Sequence, residues 1–357
     1  MQLDFHHAVT YVAARLAGFP HEKADIIAYA AEYVDDATSS GAICFDNKAM
    51  YQRISSAHKT VDPQNLNDVE NHLVWLPFHF LPGNGNLPAD TPLDALDGRF
   101  INKMVCSPDS IVAQEMVAAA ITDRHKPYGL HRLGVTMHVY ADTWAHQGFA
   151  GVLHDVNEVE DAQETDRSGV FDAKGLTGFL GRVLDDALPP LGHGRANVFP
   201  DMPFLQWEYR NGEGAVTTRD NTELFCQAAD AMCRRMQEYR RADDPQVAVT
   251  GIGAADMAVI REQFASLKKV DGRDRHTSWL QTIAAGRFSF GPAQIAYAED
   301  GKNSWKAQAL GTSTDMPVYR YTESFLTSNW KLFHDAVQEH RLTVLHDILP
   351  RYGICAG

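Results

Sequence analysis

The segment from His131 to Gly151, HRLGVTMHVYADTWAHQGFAG, constrains the chain most, because it sets charge chemistry inside an apolar helix. Leu133, Val135, Met137, Val139, Ala141, Trp144 and Ala145 leave no broad solvated face. A helix apolar nearly all round is normally buried at the centre of a larger bundle. His138, Asp142 and His146 are then buried with it. An unpaired buried carboxylate is too costly to persist, and a buried row of His, Asp and His is most simply stabilised by a cation. Residues four apart on a helix share a face about 6 Å apart, so Asp142 can share a metal with either histidine. His138 and His146 stand roughly 12 Å apart along the axis, too far to share one ion easily. The economical expectation is Asp142 shared between two ions, with one histidine on each side. The alternative is a metal-free core in which both histidines hydrogen-bond to Asp142.

The rest of the chain offers further ligands. Phe5, Val9, Val12, Ala13 and Leu16 mark a first helix from about residue 5 to 17, with Asp4 as N-cap and Gly18 as stop. His6 shares a face with Val9, Ala13 and Leu16 and points inward, whereas His7 is assigned to the surface or to a supporting position. A second helix begins near His21. Its stripe of Ala24, Ala28 and Ala31 continues into Asp35, and Asp36 follows. Two carboxylates at a helix C-terminus oppose the helix dipole, which argues for a site role there. In Trp75-Leu-Pro-Phe-His-Phe-Leu-Pro-Gly83, His79 sits in a stretch too apolar for an exposed loop and too proline-rich for a helix. It is a core histidine or a ligand on a rigid loop. His193, flanked by glycines that permit close backbone approach, is a further ligand candidate. Asp201 is a weaker one that would cap a turn. His154 and Glu158, four apart, could form another metal pair, yet the acidic run through Glu164 reads as a solvated face.

Five cysteines without a CxxC pair give neither a disulfide framework nor a cysteine zinc site, and they read as reduced thiols. The net charge of -14 argues against a general nucleic-acid surface. No uninterrupted apolar run of about eighteen residues and no secretory leader pattern is present, so the expectation is a cytoplasmic protein without a membrane span. Helices are expected near 108–123, 173–188, 220–241, 253–269, 276–285 and 317–347. Together these predict an all-α protein, one large helical domain over 1–357, with the metal-site core in about 1–210 and additional packed helices in about 211–357.

The set His6, Asp35 or Asp36, His79, His138-x-x-x-Asp142 and His146 resembles the zinc-dependent phospholipase C and single-strand nuclease superfamily in the order of its ligands. The similarity covers roughly residues 5 to 200, and the helix motif is its most specific part. More closely, the N-terminal 150 residues and the Gly-His-Gly segment resemble an uncharacterised bacterial family of hypothetical cytosolic proteins. The superfamily's mature N-terminal tryptophan, whose amine and carbonyl bind a zinc, has no counterpart here. The resemblance implies an all-helical bundle and a metal-dependent phosphoesterase. It would hold zinc or another divalent transition metal, two or more ions, with His6, Asp35, Asp36, His79, His138, Asp142, His146 and His193 as ligands. Asp35 or Asp36 would orient or deprotonate the attacking water, and the substrate would be a small-molecule or lipid-like phosphate ester. A non-catalytic metal-binding or scaffold protein is the alternative function.

Overall fold

The computed structural model describes residues 1–58, 68–165, 196 and 199–355. His193 and the helix expected near 173–188 lie outside the described residues. The helices used below are α1 (Thr10–Leu16), α2 (His21–Asp36), α3 (Asp68–Phe78), α4 (Ile101–Met104), α5 (Ile111–Thr122) and α6 (Gly129–Ala145). They are followed by α7 (Asn221–Arg241), α8 (Ala254–Ser266), α9 (Gly272–Ala284), α10 (Trp305–Leu310) and α11 (Asn329–Leu342).

Helix α6 is the axis of the molecule. Every residue from His131 to His146 is buried. Leu133, Met137 and Tyr140 join a large core with α1, α5, α7 and α8, while Val135 joins a second core built on α2, α10 and α11. Close packing of α6 on α2 depends on Gly134, because a Cβ there would stand 2.4 Å from Ile27 O and 2.7 Å from Ala30 Cβ. The alanine stripe of α2 supplies the matching flat surface.

The all-α expectation is overturned. The chain is mixed α and β, with an antiparallel pair β1 (Gly41–Cys44) and β2 (Met50–Arg53) and an antiparallel sheet of β3 (Val159–Glu164), β4 (Gln206–Asn211) and β5 (Val216–Asp220). Strand β4 shows the cause. Trp207 and Tyr209 are buried against Phe149 and Phe199 while Arg210 is exposed, a period of two that no helix can satisfy. Asn211 Oδ1 accepts from Glu213 N at 3.1 Å and Ala215 N at 2.9 Å, closing the hairpin to β5. The acidic run at 159–164 is thus a strand, with Glu160, Asp161 and Gln163 exposed and Ala162 buried.

Local starts and stops also differ. Helix α5 begins at Ile111, with Ser110 accepting from Ala113 N, rather than at Pro108. Asp4 does not cap the first helix. It lies in a π-helical turn (Asp4–Val9) preceding α1, and its carboxylate pairs with Arg275 of α9 at 2.7 and 3.0 Å. Helix α3 runs through Pro77 to Phe78, where a loop was expected. Beyond Pro77 the ladder closes abnormally, with His79 N and Phe80 N both bonded to Trp75 O. The proline ends the helix where His79 must turn inward. No described helix is long and apolar enough to cross a membrane.

Candidate metal centre

Four elements converge on Asp142. The π-helical turn carries His6, the end of α2 carries Asp35, the unwound end of α3 carries His79, and α6 carries His138, Asp142 and, at its C-cap, His146. The buried Asp4–Arg275 pair anchors the first turn, with Gln2 Oε1 also accepting from Arg275 Nη2 at 2.8 Å. At the other end, Arg219 of β5 donates to Ala145 O at 2.8 Å and to Gln147 O, so it caps α6 on both sides of His146.

The two oxygens of Asp142 face different partners. Oδ1 lies 2.6 Å from the Met1 amino nitrogen and 3.3 Å from His6 Nε2. Oδ2 lies 3.4 Å from His138 Nε2, 3.6 Å from His146 Nδ1 and 3.7 Å from His79 Nδ1. Asp35 Oδ1 stands 3.7 Å from His79 Nδ1 and 3.8 Å from His138 Nε2. Asp201 Oδ1 lies 3.2 Å from the Met1 nitrogen and 3.8 Å from His146 Nε2, so the weaker sequence candidate belongs to the cluster.

Backbone carbonyls fix the imidazole tautomers. His138 Nδ1 is 2.8 Å from Ala31 O, His79 Nε2 is 2.9 Å from Ser56 O, and His146 Nδ1 is 2.6 Å from His79 O. A carbonyl can only accept, so each of these nitrogens carries the proton and the other nitrogen of a neutral ring is a lone pair. Those lone pairs point inward. His138 Nε2 and His79 Nδ1 stand 3.3 Å apart, acceptor against acceptor, with Asp142 Oδ2 beside both. His6 is buried with neither ring nitrogen hydrogen-bonded, although its Nε2 stands 3.3 Å from Asp142 Oδ1.

This donor set fits a divalent transition metal. Two groups bring one ligand atom per residue within 4.8 Å of one another: His6, His138 and Asp142, and Asp35, His79 and His138. Among His79 Nδ1, His138 Nε2, Asp142 Oδ2 and Asp35 Oδ1 the separations above run from 3.3 to 3.8 Å. Ligand atoms bonded at about 2.0–2.2 Å to a tetrahedral ion sit roughly 3.3–3.6 Å apart. One imidazole nitrogen on a carbonyl and the other aimed into the site is also the habit of metal-bound histidine.

Electrostatics sort the groups. Burial, then the Met1 ammonium, pulls His6 down to about 4, and burial with His6 as neighbour holds His138 well below the usual histidine range. Burial works against the Asp142 carboxylate, yet His146, the ammonium, His6 and His138 outweigh it and hold its pKa well below the ordinary value. Burial also opposes the Met1 ammonium, but Asp142, Asp201 and Asp35 push it up to about 11. For His79, burial is overcome by Asp142 and Asp35, which raise it. Asp35 keeps 35% of its side chain exposed at the rim. Burial of its inner end, opposed by His79 and aided by Asp142, pushes it up to about 7.

Two sequence candidates lie elsewhere. Asp36 turns away from the cluster and accepts from the Tyr297 hydroxyl. His154 accepts from Val156 N at 3.0 Å and lines a different cavity. His7, expected at the surface or in a supporting position, is fully buried against His276 at 2.9 Å, a partner 269 positions away. The chain belongs to a family of unknown function, DUF6765, which matches it over residues 1–348. No curated protein and no solved structure matches it.

Proposed function

We propose, for this member of a family of unknown function, that the cluster around Asp142 is the centre of a metal-dependent hydrolase acting on phosphate esters, with zinc or a similar divalent metal as cofactor. The observation that carries this reading is the facing of acceptors: the tautomers set by Ala31 O and Ser56 O leave the His138 and His79 lone pairs 3.3 Å apart beside a carboxylate. Such an arrangement is stable only with a cation or a shared proton among the lone pairs. Asp35, His79 and His138, with Asp142 Oδ2, would hold one ion, and His6 with Asp142 Oδ1 would contribute to a second, since the single lone pair of His138 serves one ion. His146 Nε2 and Asp201 extend the donor set. When bound, such an ion polarises a phosphoryl oxygen and brings the pKa of a water near neutrality.

The chain's own groups then have separable roles. Asp142 presents one oxygen to each set of partners. Ala31 O, Ser56 O and His79 O orient the imidazoles, and Arg219 holds the last turn of α6 around His146. Asp35, partly open to solvent at the edge of the cluster, is suited to accept a proton from a water at the rim. Its exposure favours catalysis over a closed structural site, which would bury every ligand. The phosphate-ester class rests on the ligand order shared with the zinc-dependent phospholipase C and nuclease superfamily, an argument by resemblance.

The test is to express the protein with zinc supplied, measure bound metal by elemental analysis, and screen phosphate mono- and diesters. Stoichiometric metal with turnover of an ester is the expected result. Absence of stoichiometric metal overturns the reading, and stoichiometric metal without turnover of any ester assigns the site to the non-catalytic alternative.

A further inference from the structure

A second cavity, of about 500 Å³, lies between α3, α4 and the C-terminal segment and shares no residue with the metal centre. Its size falls in the range of small-molecule sites. Leu76, Ile101, Met104, Val152 and Ile354 form the walls. Lys103 of α4 donates to Tyr352 O at 2.7 Å, which ties the short helix to the C-terminal segment and keeps the cavity formed. Phe100 lines the cavity and is 49% exposed, so an apolar side chain stands at the mouth beside the polar groups.

Polar groups among the lining residues are nitrogen bases and a thiol, with no carboxylate. Arg99, His72 and His154 line the cavity together with Cys355. Arg99 is held by Glu213 at 2.5 Å, an exposed pair that orients the guanidinium at the surface rather than cancelling it in a dry site. His154 is oriented by Val156 N.

We infer that this cavity binds a single-chain anionic amphiphile, its aliphatic tail among Leu76, Met104 and Val152 and its carboxylate-like head at Arg99 and the two histidines. A neutral apolar guest would leave the three nitrogen groups unused, and a cationic head would find no carboxylate among the lining residues. Burial of each methylene contributes a nearly constant increment, so two added carbons tighten binding roughly tenfold until the cavity is full.

The experiment uses the full chain carrying Phe100→Trp, an exposed position where the indole reports on the mouth without entering the core. Octanoate, decanoate and dodecanoate, each below its micellar concentration, are titrated against decyltrimethylammonium as the charge control. Saturable one-to-one binding that tightens with chain length, with decyltrimethylammonium at least tenfold weaker, is the expected result. Absence of a saturable carboxylate signal overturns the inference, and so does equal binding of the two head groups. Ile101→Trp added to this chain, with folding checked by circular dichroism, should weaken decanoate at least tenfold by filling the cavity. Arg99→Gln should weaken it about tenfold while leaving decyltrimethylammonium binding unchanged or tighter. Unchanged decanoate affinity in either folded variant places the ligand elsewhere and refutes the assignment.

Discussion

Asp142→Asn separates a metal-bridging carboxylate from a mere hydrogen-bonding one. The side chain keeps its shape and loses its charge. In the structure that charge faces the Met1 ammonium at 2.6 Å and the imidazoles of His6, His138, His146 and His79 at 3.3 to 3.7 Å. A unit charge about 4 Å from another at an effective dielectric near 20 is worth about 4 kcal/mol, close to a thousandfold in affinity. Each ion that Asp142 helps to hold should weaken by at least that order. Elemental analysis after dialysis should therefore find metal in the parent and almost none in the variant. In a metal-free centre the same substitution leaves the buried ammonium facing an amide, at a cost of about 3–5 kcal/mol and a fall of several degrees in melting temperature. His154→Ala, in the other cavity, should alter neither quantity. If Asp142→Asn retains the full metal content of the parent, Asp142 does not bridge and the reasoning from facing acceptors is wrong.

Gly134→Ala should destabilise the fold by about 1–3 kcal/mol through overpacking, because the added methyl meets Ile27 O at 2.4 Å; an unchanged thermal melt contradicts the close α2–α6 contact. Asp35→Asn should abolish hydrolysis while Asp36→Asn leaves it nearly intact, since only Asp35 faces the imidazoles; equal losses in steady-state kinetics contradict that division. His340, buried with Nε2 donating to Pro77 O at 2.9 Å, is pulled down to about 3 by burial and then by Arg132. Its folded pKa lies below its unfolded one, so its contribution to stability is full above about pH 6.5 and is lost as pH falls towards 3, at up to about 1.4 kcal/mol per pH unit. His340→Gln keeps a donor for Pro77 O without titrating, so denaturant melts at pH 7 and 5 should show a shallower acid loss; parallel curves for variant and parent contradict the assignment.

The centre was legible where chemistry and periodicity coincide. His138, Asp142 and His146 stand on a helix with no polar face to explain them, and His6 and Asp35 fall on the inward faces of their own helices. The choice between Asp35 and Asp36 was not legible, because it depends on Tyr297, 261 positions from Asp36. The choice for His7 between the surface and a supporting position was open for the same reason, its partner His276 being remote in sequence. The Met1 amine carries no residue-type signal at all. Asp201 reads as a turn residue because it stands between the prolines at 200 and 203. The sheet was missed although Gln206-Trp-Glu-Tyr-Arg-Asn211 alternates, since six residues beside a glycine-rich turn are easily taken for a loop. Proline at 77 misled in the opposite sense. Next to the last residue of the helix it removes one backbone donor and supplies the unwinding that turns His79 inward.

The buried pair of Asp4 with Arg275 changes how the chain can be partitioned. The first helical turn, which carries His6, is anchored by a guanidinium from α9, and the last turn of α6 is clasped by an arginine from β5. Neither end of the ligand cradle is self-supporting. A fragment stopping near residue 210 would contain His6, Asp35, His79, His138, Asp142 and His146, yet would lack both clasps. Inheritance of the centre therefore requires inheritance of the helices behind it, and the later third of the chain is part of the centre's architecture rather than an appendage to it.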